Sequence, residues 1–220
     1  MDVAETASTP LRSRRFAWPE GARPASLTAM EARDLRRMSL EEYLAFERSR
    51  EERWEYVDGE AFAMAGASPR HNAIVMNLTL ALGSALRGKP CFPLGSDQKV
   101  ATVATRGFHY PDLTIVCGKP RFSEADPHAL VNPTVLFEVL SESTADYDRG
   151  KKLDHYATIP ELKEVVLVFS DAKRIEHRKR VAAEQWLVTH YVGGTVPLDA
   201  LEVSLGVDDV YANLDRVREA

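Results

Sequence analysis

The period of apolar and polar positions changes several times along the 220-residue chain. In SLEEYLAFERS the apolar residues Leu40, Tyr43, Leu44 and Phe46 recur at helical spacing, and Ser39 and Glu42 stand three apart, as in a capping box. A helix starting there is predicted. In RWEYVDGEAFAMAG two β-prone runs flank Asp58-Gly59, a dipeptide that suits a tight turn at positive φ, so residues 54–65 read as a hairpin. Pro69 precedes a second helix that runs from Arg70 to about Leu86. Its apolar stretch AIVMNLTLALGSAL is too short and too interrupted by Asn77, Thr79 and Ser84 to cross a bilayer, and reads as a buried helix.

Strand patterns follow at QKVATV, YPDLTIVCG and TVLFEVL. Then Leu153, Tyr156 and Ala157 mark a helical stripe that Pro160 ends, and EVVLVFS and RIEHRKR read as strands joined at residues 171–173. Helix, hairpin, helix, strands, helix and strands in that order predict a single α/β or α+β domain on a central mixed β-sheet. Residues 1–25 mix Pro, Ser, Ala and Arg without a period and read as a flexible tail, leaving 26–220 as the domain.

Composition adds limits. The chain is 45% hydrophobic and 28% charged with a formal net charge of −5, so no global positive field advertises nucleic acid, and a nucleic-acid partner has to meet a local basic patch. Cys91 and Cys117 form no C-x-x-C pair and no apolar leader precedes them, which makes a reducing cytoplasm the simplest setting. No P-loop, serine elbow or zinc-ligand spacing is present.

Two acids break the apolar pattern. Asp112 heads the strand DLTIV, and Glu138 lies between Phe137 and Val139. A carboxylate placed so must be protonated, paired or bound to a cation. Adjacent strands bring the two acids together, and hard oxygen donors of this kind suit Mg²⁺ or Mn²⁺, which supports metal-assisted hydrolysis. An edge strand that leaves Glu138 in solvent or paired with an arginine is the competing reading.

The segments WEYVDGE, MAGASPRHN, GSDQKV, YPD, EVLSEST and YDRGKKLDHY, taken in order, resemble the Uma-type restriction endonucleases, a branch of the PD-(D/E)xK nuclease superfamily. The resemblance runs from about residue 38 to 211. It implies a restriction-endonuclease-like fold, a central mixed β-sheet flanked by helices, that binds a divalent metal and cuts DNA. Asp112 takes the place of the first acid and Glu138 that of the second, while Leu140 stands where the superfamily has lysine. The cation then comes from the next helix, where Lys152 matches best and Lys151 is the rival.

Tyr156, four residues on, shares the face of Lys152. Glu55 matches a further family acid and reads equally as a ligand or as an ordinary exposed position. His71, at a helix start, is a candidate proton shuttle or phosphate contact. Gln98 or Lys99 faces the site depending on register. Arg174, Arg178 and Arg180 on the strand KRIEHRKR are candidate contacts for the DNA backbone, or a solubilising edge. A homodimer is expected, because symmetric pairs are common and two sites suit double-strand cutting. A module that keeps the fold without turnover is the alternative, motivated by the acidic charge and by Leu140.

Overall fold

The computed structural model describes residues 35–64, 66–140 and 150–217. In chain order the elements are β1 (Leu35–Arg37), α1 (Leu40–Arg48), β2 (Trp54–Val57), β3 (Glu60–Ala63), α2 (Pro69–Ala85), β4 (Cys91–Gly95), β5 (Val100–Thr102), β6 (Gly107–His109), β7 (Leu113–Cys117) and β8 (Val135–Leu140). They continue with α3 (Lys151–Ala157), β9 (Glu164–Phe169), β10 (Ile175–Ala182), β11 (Gln185–Tyr191), β12 (Thr195–Leu198), β13 (Val203–Gly206) and α4 (Val207–Val210). The tail read at residues 1–25, and residues 141–149 of the segments between β8 and α3, lie outside the described residues.

Local chemistry explains the boundaries. Ser39 Oγ accepts the Glu42 N–H while Glu42 Oε2 accepts the Ser39 N–H, closing the capping box that starts α1. Asp58 and Gly59 sit at φ of 52° and 83°, as the two-residue turn between β2 and β3 requires. Ser68 caps α2, with Pro69 in its first turn.

The central sheet has six strands in the order β11-β10-β9-β8-β7-β4, antiparallel except for the parallel β8–β9 pair. It is therefore mixed, with helices packed against it. A second sheet, β1-β3-β2-β6-β5, and the β12–β13 pair complete the strands. Period-two alternation divides β8 between two cores. Phe137 and Val139 join α2 residues Ile74, Leu78 and Leu82, whereas Leu136 and Leu140 join Leu153 and Tyr156 of α3. Glu138, between Phe137 and Val139, belongs to the α3 face. Helix α2 buries one stripe and leaves Met76 and Leu80 exposed, so it is amphipathic instead of wholly buried.

One expectation changes. Cys91 and Cys117 are joined by a disulfide, because antiparallel pairing of β4 with β7 sets them directly across from each other. Sequence separation had hidden that register. The half-buried arginines on and just before β10 are engaged within the chain. Arg178 pairs at 2.6 Å with the buried Glu176, and the Arg174 guanidinium lies 3.7 Å over the Phe169 ring. Arg180 donates to the carbonyls of Leu162, Ala183, Ala157 and Ile159 and stacks on Trp186. Those donors close the turn that leaves α3 against β10. Arg180→Ala is expected to cost about 2–3 kcal/mol of unfolding free energy in urea titration, because it strands several carbonyls at once.

Candidate active site at the β7–β8 strand ends

Antiparallel pairing sets Leu113 across from Phe137, and one step further along the same register sets Asp112 across from Glu138. The two acids therefore lie at neighbouring strand ends, Asp112 bonded towards α2 and Glu138 towards α3. Asp112 Oδ2 accepts the Val139 N–H at 2.7 Å and lies 3.2 Å from His71 Nε2. That backbone bond ties the first acid to the strand of the second, and the first turn of α2 supplies the histidine.

Glu138 is 4% exposed and Lys152 is equally enclosed. Lys152 Nζ lies 2.9 Å from Glu138 Oε1 and 3.0 Å from Glu55 Oε1. The lysine of α3 therefore reaches the acid that a strand lysine would serve. Tyr156, one helical turn on, donates its hydroxyl to Glu138 at 2.6 Å and places its ring 5.9 Å from Nζ. Burial, followed by the Glu138 charge, holds its phenol well above the usual range, so it remains a donor. Lys151 is exposed and lies 3.8 Å from Asp58. Of the two lysines, Lys152 faces the acids.

Glu55 is buried although alternation sets it opposite Trp54 and Tyr56. Strand β2 is covered on both faces. Trp54 and Tyr56 pack with Tyr43 of α1, and Glu55 meets Lys152 from the other side. Glu55 Oε1 also accepts the Tyr110 N–H at 3.0 Å, holding the backbone two residues before Asp112.

Gln98 and Lys99 stand apart from these acids. Gln98 Nε2 donates to the carbonyls of Lys99 and His128. Lys99 Nζ is 2.8 Å from Glu47 and 2.7 Å from Asp126, in a buried ion cluster, and Glu47 also accepts the Tyr110 hydroxyl. Burial acts to raise the Asp126 carboxyl, but bonds from Lys99 and the His128 N–H outweigh it and leave it below the usual range. Lys99 thus supports Tyr110, and through it the loop that carries Asp112. Glu47, Tyr110 and Asp126 were not singled out in the sequence, where each looks like an ordinary polar or aromatic position.

His109, whose sequence context reads as a surface or supporting position, adjoins Tyr156. It is fully buried, its ring 5.2 Å from Tyr156 and 5.5 Å from His155, whose Nε2 is 3.5 Å from Asp58. Burial, then Lys152 and His155, push its imidazole well below the usual range, so it is neutral beside the lysine.

Carboxylates at Asp112 and Glu138 are hard oxygen donors, and Mg²⁺ commonly takes one or two carboxylates and completes its shell with water, so the donor set fits such an ion. Among the described residues no three His, Cys, Asp or Glu side chains are already gathered as a metal site.

The Uma2 family model, described as "Putative restriction endonuclease", matches residues 40–210. The chain belongs to this family. Two Synechocystis relatives, the uncharacterized proteins sll1609 and slr1290, are 32% and 34% identical to it, covering 74% and 81% of this chain and 92% and 93% of their own lengths. A crystal structure of "a putative nuclease belonging to DUF820" from Anabaena variabilis aligns with a TM-score of 0.65 at 16% identity, over 80% of this chain and 99% of that one. The chain therefore shares the α+β fold of that neighbour, and all the site residues above fall inside the family match.

Because His109 is held neutral, the folded protein binds fewer protons than the unfolded chain once pH falls below about 6.5. Its contribution is whole above that pH and is lost progressively as pH falls towards the folded pKa. His109→Gln should flatten the fall in unfolding free energy between about pH 7 and pH 5, by at most about 1.4 kcal/mol per pH unit. Urea titrations across that window measure it, and an unchanged slope means that other groups set the acid limit.

Proposed function

We propose that this Uma2 protein is a Mg²⁺- or Mn²⁺-dependent endonuclease that hydrolyses phosphodiester bonds in DNA, with Asp112 and Glu138 holding the metal and Lys152 as the catalytic cation. The observation that carries the reading is the 2.9 Å approach of Lys152 Nζ to Glu138, next to the strand end where Asp112 lies across from that acid. Two acids and a lysine, brought from three elements, form the set that in-line phosphoryl hydrolysis needs.

A metal bound there supplies charge neutralisation at the phosphate and lowers the pKa of bound water. The protein does the rest. Water attacks phosphorus, the new P–O bond forms opposite the leaving sugar oxygen, and the bond to that oxygen breaks. Lys152, a fixed positive charge, stabilises the added negative charge on the phosphoryl oxygens. Glu55 and Tyr156 set its position, Glu55 through the ammonium and Tyr156 through Glu138. His71 lies beside Asp112; it would take the proton of the attacking water, and the leaving sugar oxygen would take one from solvent.

We propose further that the protein works as a homodimer in the compartment that holds the DNA, the cytoplasm, with the Cys91–Cys117 bond as the feature that weighs against that location. A fold kept for binding without turnover is the second reading. It is favoured by the burial of Glu55, Glu138 and Lys152 in one ionic knot and by the lack of a gathered three-ligand cluster among the described residues.

Purified protein with Mg²⁺ should nick supercoiled DNA, and EDTA should stop it. Asp112→Asn, Glu138→Gln and Lys152→Met should each lower the rate by about 10²-fold or more. Met keeps the packing of the lysine stem, so a folded Lys152→Met protein that still cuts at full rate excludes the lysine. Cleavage that survives both acid substitutions refutes the site. DNA binding with no turnover in either metal establishes the second reading.

A further inference from the structure

The two edges of the central sheet are built differently. Strand β4, at one edge, carries Pro93 in mid-strand and is tied to β7 by the disulfide. Proline there removes a backbone donor and blocks a further strand. The edges of the second sheet are three residues long, and β1 carries Arg36 and Arg37. Strand β12 contains Pro197.

Strand β11, the other edge of the central sheet, has none of these devices. It runs for seven residues, QWLVTHY, without proline, lysine, arginine or a carboxylate. The bulge near its far end lies in β10, on the ladder already formed. Leu187 and Val188 are 56% and 41% exposed on opposite faces, and Val181 and Val192 near the strand's ends are exposed as well. Every second residue of an edge strand turns its N–H and C=O outward, and a long uncharged edge is a template for another strand.

We infer that β11 is the homodimer interface: two copies pair their β11 strands antiparallel across a two-fold axis and join the two central sheets. The strand's chemistry is self-complementary. The register that uses all seven residues is centred on Val188, which meets the Val188 of the second copy. Trp186 then stands across from His190, Leu187 from Thr189 and Gln185 from Tyr191, so no like charges face each other and an aromatic pair flanks the centre. A two-fold axis through one strand satisfies both copies with one surface, as closed symmetric dimers do. The inference rests on the homodimer part of the proposed function and names its surface. It is independent of the hydrolytic chemistry.

Sedimentation equilibrium of the full chain tests it. The expected mass is twice 24.5 kDa. Val188→Lys places two ammonium groups face to face on the axis and should raise the dimer dissociation constant by about tenfold or more, while the melting temperature of the dissociated protein stays near that of the parent. Val188→Cys should form a covalent dimer on mild oxidation, because directly paired residues bring their Cα atoms to about 4.5–5.5 Å, within disulfide reach. Leu80→Cys, exposed on α2, should not. A parent chain that is monomeric at all working concentrations overturns the homodimer and the surface together. A dimer that ignores Val188→Lys, with no cross-link at Val188→Cys, overturns the surface and leaves the homodimer standing.

Discussion

The interaction on which the site depends is the buried contact of the Lys152 ammonium with Glu138 and Glu55. Removing three charged groups from water costs several kcal/mol per ion before any attraction is counted, and a well-packed apolar cluster of similar volume is often as stable. Stability alone gives little reason to keep the knot. What it does provide is position: β8, α3 and β2 come from two sheets and a helix, and the shared lysine fixes one acid from each sheet at a single point. Tyr156 and Tyr110 extend the arrangement, one through the Glu138 carboxylate and the other through the backbone bond to Glu55. A ligand that takes one of these carboxylates acts on all three elements.

Around this knot lies a second buried ion cluster, Lys99 with Glu47 and Asp126, that never touches the acids directly. Its link is Tyr110, whose hydroxyl reaches Glu47 while its N–H reaches Glu55. The loop bearing Pro111 and Asp112 is therefore held at both ends of one tyrosine. The backbone bond from Val139 to Asp112 then fixes the first acid against the strand of the second. Loops carry chemistry well only when a rigid frame positions them, and here the frame consists of charges that look unrelated in sequence.

Local chemistry was legible in the sequence wherever it is short-ranged. The capping box at Ser39, the Asp58-Gly59 turn and the alternation that buries Glu138 all follow from neighbours within a few residues. The apolar pattern singled out Asp112 and Glu138, and the family segments then added Lys152. Properties set by register and by layers were not legible. Glu55 reads equally as a ligand or an exposed position because period-two alternation says which face a residue takes, while only the packing of α3 on that face says that it is covered. Gln98 and Lys99 looked eligible for the site because a one-residue shift exchanges faces, and the cysteines looked unpaired because β4 and β7 meet only after folding. Strand β10 holds a further role set by layers: Arg180 is a charged residue in sequence and a clasp for four carbonyls in three dimensions.

Leu140 and Lys152 are best understood as two halves of one exchange. In the pattern this chain resembles, a lysine two residues after the second acid would share that acid's face of the strand. Here the same position is buried beneath α3, packed with Leu153 and Tyr156, and an ammonium there would lie inside an apolar layer with no route to water. The helix that excludes a cation from position 140 can deliver one itself, since residues four apart share a helical face and Lys152 and Tyr156 both reach the Glu138 carboxylate. Moving the charge from strand to cover keeps the core of β8 apolar and still brings a cation to Glu138. The apparent loss of a motif residue is thus the consequence of covering the strand, and the covering helix supplies the replacement.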